Sequence, residues 1–130
     1  LADPVHDAAW EAREQAWCPY SRFAVGAALE TVDGRWFAGC NVENASYGLT
    51  VCAERAAVSA AIAAGARRFR RIVVVAELDP PVPPCGACRQ VLMEFAPELV
   101  VESANRTTQR TWQLRELLPD AFTASRRHHD

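Results

Sequence analysis

The apolar positions of this chain change period several times, and each change marks an element. Val5, Ala8, Ala9, Ala12 and Ala16 recur at helical spacing behind Asp3-Pro4, a pair suited to an N-cap and a first-turn proline. This predicts a helix over 4–17, broken by "CPYSR". The runs "FAVGAALE" (23–30) and "RWFAGC" (35–40) flank "TVDG", whose Asp33-Gly34 pair signals a hairpin turn. Residues 41–50, "NVENASYGLT", read as a polar loop, and 51–64 as a helix with Gly65 as its stop. "RRIVVVAEL" (70–78) is continuously apolar at its centre, as in a strand covered on both faces. "DPPVPP" reads as a stiff loop, "GACRQVLMEF" (86–95) as a helix and "ELVVES" (98–103) as a strand, with a last short helix in "WQLRELLP" (112–119). The order αββαβαβα implies a mixed sheet with helices on both faces. Neither a repeat nor a long linker divides it, so the expectation is one domain over 1–130 with a mobile tail at 123–130.

Composition narrows the function classes. Half of the 130 residues are apolar, enough for a core. Fourteen basic residues, all Arg, against sixteen acidic ones leave a net charge of −2, too balanced for a general affinity for nucleic acid. The one basic cluster, Arg67, Arg68, Arg70 and Arg71, is expected at a helix end, facing its dipole and solvent. No apolar run approaches the ~20 residues of a membrane helix, and the N-terminal stretch does not resemble a secretory signal. Five cysteines, an odd count with two as C-x-x-C, argue against a disulfide framework and for a reducing cytoplasm.

The candidate chemistry lies in two short stretches. Cys85 and Cys88 follow the proline loop and open a helix; alone, that motif serves a metal, a redox pair or plain burial. Cys52, at the start of another helix, shifts the balance, because the strand between them can bring both helix starts to one end of the sheet. Three thiolates hold Zn²⁺ at about 2.3 Å each and leave a fourth position for water. A structural zinc would close with a fourth protein ligand, for which Cys18, Cys40, His6, His128 and His129 are the candidates. Glu54 can reach the same cavity and carry protons between water and substrate; its alternative is a carboxylate placed to suit the helix dipole. Arg55 can donate to the thiolates and draw off negative charge, or lie on the surface.

"CAE" followed by "PCGAC" matches the zinc-deaminase signature, with Cys52 in place of its His. "CNVENASYGLTVCAER" and "PCGACRQVL", with "CPYSRFAVGAAL" and "LRELLPDAF", resemble the small three-cysteine cytidine deaminases across most of residues 15–122. That resemblance implies a three-layer α/β/α fold with a mixed five-stranded sheet, one Zn²⁺ per subunit and a homotetramer with shared active sites. It implies hydrolytic deamination of cytidine and deoxycytidine to uridine and deoxyuridine with release of ammonia, in pyrimidine salvage. By the same resemblance Cys52, Cys85 and Cys88 are zinc ligands and Glu54 is the proton shuttle. Asn41 and Glu43 bind the ribose, Phe23 packs on the pyrimidine, and the main chain at Ala53 recognises the base. Ala45 and Tyr47 reach in from a neighbouring subunit and Phe122 forms a lid from another. Trp17-Cys18 and "ANRTTQRTW" depart from the family pattern without touching this chemistry. Two other readings stand beside it: a deaminase of another aminated heterocycle or of polynucleotide, and a non-catalytic zinc module with a fourth protein ligand.

Overall fold

In the computed structural model, which describes residues 3–124, five strands form one sheet in the order β2-β1-β3-β4-β5. The elements are α1 (Pro4–Arg13), β1 (Val25–Thr31), β2 (Trp36–Cys40), α2 (Ala53–Ala63), β3 (Phe69–Ala76), α3 (Gly86–Phe95), β4 (Val100–Ala104), β5 (Gln109–Gln113) and α4 (Leu114–Leu117). β1 runs antiparallel to β2 and β3, β3 runs parallel to β4, and β5 returns antiparallel to β4. The parallel pair demands a crossover, which α3 supplies.

Both sheet faces are covered. α1 lays Val5 and Ala9 on Ala28, Val73, Val75 and Ala104. On the opposite face Ala53, Ala57 and Ala61 of α2 and Leu92 and Met93 of α3 pack with Ala27, Leu29, Ile72, Val74 and Val101. Alternate residues of β1 and β3 therefore enter different cores, which explains their unbroken apolar runs.

Asp3 caps α1 by accepting from Val5 N at 3.0 Å. Gly34 (φ +89°) turns the β1–β2 hairpin and Gly65 (φ +91°) follows the end of α2. The strand missing from the apolar pattern is β5. Its sequence "QRTWQ" has one large apolar residue, because it is an edge strand held by its ladder to β4. It is the fifth strand that the family resemblance implied.

α1 stops at Arg13 rather than at residue 17. Gln15 and Ala16 make tighter bonds to Ala12 O and Arg13 O, and Trp17 N leaves to donate to Asn41 O at 3.0 Å. The 41–50 loop contains a single 3-10 turn, Tyr47–Leu49, and a bridge from Val42 to Val51. Of the expected tail over 123–130, only Thr123 and Ala124 fall within the described residues, and both are exposed.

The arginine cluster divides. Arg67 donates to Ile62 O (3.0 Å) and Ala66 O (2.9 Å) at the end of α2, as expected. Arg70 and Arg71 instead lie on β3 and form ion pairs. Arg70 meets Glu30 at 2.9 Å, while Arg71 meets Glu30 (2.8 Å), Asp3 (2.9 Å) and Glu102 (3.1 Å) under α1. The hydrogen bond from Arg71 holds the Asp3 carboxyl below its ordinary range. Burial pushes Glu30 upward, but Arg70 and Arg71 together more than reverse it.

α2 approaches the hairpin closely where β2 carries Gly39. A Cβ there would lie 2.6 Å from Ala57 N and 2.8 Å from Ala56 Cβ. Gly39→Ala should therefore cost about 1–3 kcal/mol in urea unfolding, by forcing α2 off the sheet.

Arg71→Met leaves half-buried carboxylates facing one another and should cost about 2–3 kcal/mol at pH 7. Asp3 and Glu30 titrate lower folded than unfolded, so their contribution is present above about pH 4.5 and lost as pH falls through the folded values. Wild type and variant should thus converge in stability on acidification, checked by urea midpoints across that range.

Candidate active site

Cys52 and Cys85 are the N-cap residues of α2 and α3, and neither side chain caps its own helix. Both sulfurs remain free for a common centre. β3 joins the two helices in sequence, and its C-terminal end brings their starts together. The sulfurs of Cys52, Cys85 and Cys88 lie within 4.8 Å of one another. Tetrahedral zinc with Zn–S near 2.3 Å separates its sulfurs by about 3.8 Å, so this group fits one Zn²⁺, and thiolates are ligands that zinc favours. Of the residues weighed as a fourth ligand, Cys18, Cys40 and His6 stand outside the group, while His128 and His129 lie outside the described residues. His6 bonds Glu102 at 3.0 Å on the α1 face.

Arg55 takes the expected position. Its Nη2 donates to Cys52 Sγ at 3.7 Å and to Thr50 O at 3.0 Å. The hydrogen bond from Cys88, opposed by burial and reinforced by Arg55, brings the Cys52 thiol down to about 5. The same bond drives Cys88 upward, and burial adds to it. The guanidinium thus faces the Cys52 sulfur.

Glu54 is 6 % exposed, in the first turn of α2. Burial pushes its carboxyl up to about 7, with the neighbouring Cys52 adding to the shift. A group balanced there both accepts and donates a proton near neutrality.

The site opens into a cavity of about 330 Å³ lined by Phe23, Asn41, Cys52, Ala53, Glu54 and Cys85, with Val74, Leu78, Val82 and Ser103 among its walls. Asn41 is buried, donating to Phe23 O (2.8 Å) and accepting from Val25 N (2.9 Å). Glu43 lies apart, in a second cavity with Tyr20, Ser21, Tyr47 and Thr50. It accepts from the Ser21 hydroxyl and from Tyr20 N (3.0 Å) and Ser21 N (3.1 Å), and the hydroxyl foremost holds its carboxyl low. Ala45, Tyr47 and Phe122 are exposed and do not line the main cavity. Sequence reasoning passed over Thr50, Val82 and Ser103, none of which stands in a motif that announces it.

The sequence matches the cytidine and deoxycytidylate deaminase zinc-binding region over residues 2–104. The chain belongs to this deaminase family. It is 51% identical over 117 residues to a cytidine deaminase from Halalkalibacterium halodurans, covering 88% of each chain. The crystal structure of cytidine deaminase from Burkholderia pseudomallei superposes with a TM-score of 0.88 at 54% identity, covering 92% of this chain and 97% of that one. That of the Mycobacterium tuberculosis enzyme gives 0.79 at 46%, covering 92% and 94%.

For this deaminase-family chain, Cys88→Ser should abolish stoichiometric zinc in metal analysis of the purified protein. Cys18→Ser should leave the zinc content at wild-type level.

Proposed function

We propose that this protein catalyses hydrolytic deamination of cytidine and deoxycytidine to uridine and deoxyuridine, releasing ammonia, in pyrimidine salvage. The observation that carries the reading is the buried Glu54 carboxyl, pushed up to about 7, beside three converging sulfurs in a cavity large enough for a pyrimidine ring. Zinc held by Cys52, Cys85 and Cys88 supplies an activated water as nucleophile.

Glu54 takes the proton from the attacking water. It delivers that proton to N3 of the ring as the water oxygen bonds to C4; it then takes the remaining proton from the C4 hydroxyl and gives it to the amine, so that the carbonyl forms as the C4–N bond breaks and ammonia leaves. Burial suits it to this work, since an exposed carboxylate would be too weak a base near pH 7. Arg55 and the N-terminal ends of α2 and α3 offset the negative charge of the sulfurs. Phe23, half-exposed at the cavity wall, offers its ring to the pyrimidine, and the Ala53 main chain faces the base.

Asn41 keeps one amide hydrogen and spare acceptor capacity after its internal bonds, and Glu43 keeps unused lone pairs; both suit the ribose hydroxyls. Ala45 and Tyr47 from one neighbouring subunit and Phe122 from another complete the site in a homotetramer. The exposure of Trp17 (59%), Tyr47 (75%), Leu49 (66%) and Phe122 (82%) on the single chain supports that assembly. Five free cysteines support a cytoplasmic location. No helix among the described residues is long and apolar enough to cross a membrane.

The test is ultraviolet absorbance during incubation with cytidine, deoxycytidine, cytosine and a single-stranded oligonucleotide. Turnover of the two nucleosides alone is expected. Glu54→Gln should retain zinc while kcat falls by about 10²–10⁴; a fully active variant would remove Glu54 from its role.

A further inference from the structure

Cys52 and Cys85 are the caps of α2 and α3, and Cys88 is buried in the first turn of α3. Of the three, Cys85 is the exposed one, and it follows directly on the segment 77–84, in which Pro80, Pro81, Pro83 and Pro84 lack an N–H. Among the described residues, none from 77 to 84 makes a main-chain bond to another main-chain group outside the sheet. The segment is held instead through four of its carbonyls, captured by side chains from β4, β5, α3 and the β4–β5 turn. Asn105 Nδ2 donates to Leu78 O (3.0 Å), Arg110 Nη1 to Pro81 O (3.2 Å), Ser103 Oγ to Val82 O (2.7 Å) and Arg89 Nε to Pro84 O (2.7 Å).

We propose that Arg89 and Ser103 are positioning residues that hold this proline segment, and through it the Cys85 sulfur, in metal-binding geometry. The inference rests on the zinc reading of the three cysteines and adds two residues that touch neither metal nor reacting atoms. Arg89 lies one turn beyond Cys85 and also donates through Nη1 to Leu117 O at 2.7 Å. Its planar guanidinium thereby ties the Pro84–Cys85 peptide to the helix that carries Cys88, setting the relation between the two sulfurs. Ser103, 5 % exposed on β4, anchors the middle of the segment to the sheet. Prolines fix φ along the run, so a displacement at either anchor passes to Cys85 instead of being absorbed by the chain between them.

The test uses the zinc-loaded protein and follows metal release to a chromophoric chelator, alongside kcat, KM and thermal melting. The variants are Ser103→Ala, Ser103→Thr, Arg89→Ala and Arg89→Lys. Arg115→Ala, which removes only the ion pair of Arg115 with Glu98, calibrates general destabilisation. Ser103→Ala and Arg89→Ala should speed zinc release by about 10-fold or more and lower kcat while KM stays within about twofold. Ser103→Thr should restore the wild-type rate by keeping the hydroxyl. Arg89→Lys should recover only in part, because an ammonium cannot hold two carbonyls in one plane. If Arg89→Ala does not fold, Ser103→Ala and Arg89→Lys decide the matter. Zinc release at the Arg115→Ala rate in those variants overturns the positioning role and leaves the zinc reading intact. A wild-type protein that binds no zinc overturns both.

Discussion

The contact on which the rest depends is the close approach of α2 to the β1–β2 hairpin. It exists because Gly39 has no side chain and because Ala53, Ala56 and Ala57 oppose it. Helix backbone lies almost directly on sheet, which sets the height of the first turn of α2 above the C-terminal end of β3. Cys52, Ala53 and Glu54 all sit in or beside that turn. A helix lifted by larger side chains would carry the carboxyl toward water and the sulfur away from Cys85 and Cys88. Packing at Gly39, against the Ala53 carbonyl between Cys52 and Glu54, therefore governs both metal geometry and proton affinity.

The electrostatics follow from that placement. An acid is buried beside sulfurs that carry negative charge, and both effects oppose its ionisation. Arg55 answers the charge on Cys52 more directly than that on Glu54, because its guanidinium bonds the sulfur and the Thr50 carbonyl. The sulfur is thus stabilised as thiolate while the carboxyl stays balanced between its two forms. Two acidic groups two residues apart thus shift in opposite directions: Arg55 favours ionisation of both, but at Glu54 burial outweighs it.

Much of this was legible in the chain and some was not. α3 was read over 86–95 and is observed over the same residues, because its start is marked by Cys85-Gly86 after prolines and its face is strongly apolar. The hairpin and the end of α2 were legible through Asp33-Gly34 and Gly65. β5 was not, since an edge strand of mostly polar residues has no periodic signature. The end of α1 was misjudged because its alanines continue the helical spacing while Trp17 is claimed by a long-range bond to Asn41. Arg70 and Arg71 looked solvent-facing because their partners Glu30, Asp3 and Glu102 come from three other elements. Cys52, Glu54 and the C-x-x-C pair were readable because the chemistry of the site is concentrated in two short stretches. Asn41 and Glu43 line adjoining cavities that share Thr50, and Glu43 is held in the second by Tyr20 N, Ser21 N and the Ser21 hydroxyl, partners about twenty residues away that no local pattern announces.

The sheet also partitions the molecule. Arg71 and its carboxylates lie with Val73, Val75 and α1 on one face, whereas the sulfurs, Glu54 and the cavity lie with α2 and α3 on the other. Effects of substitutions on opposite sides of such a barrier tend to add rather than interact. The N-terminal layer is consequently free to drift, or to be rebuilt for heat or acid tolerance, under selection that does not see the reaction. The chemistry is constrained by one layer while the other serves as a separately adjustable foundation.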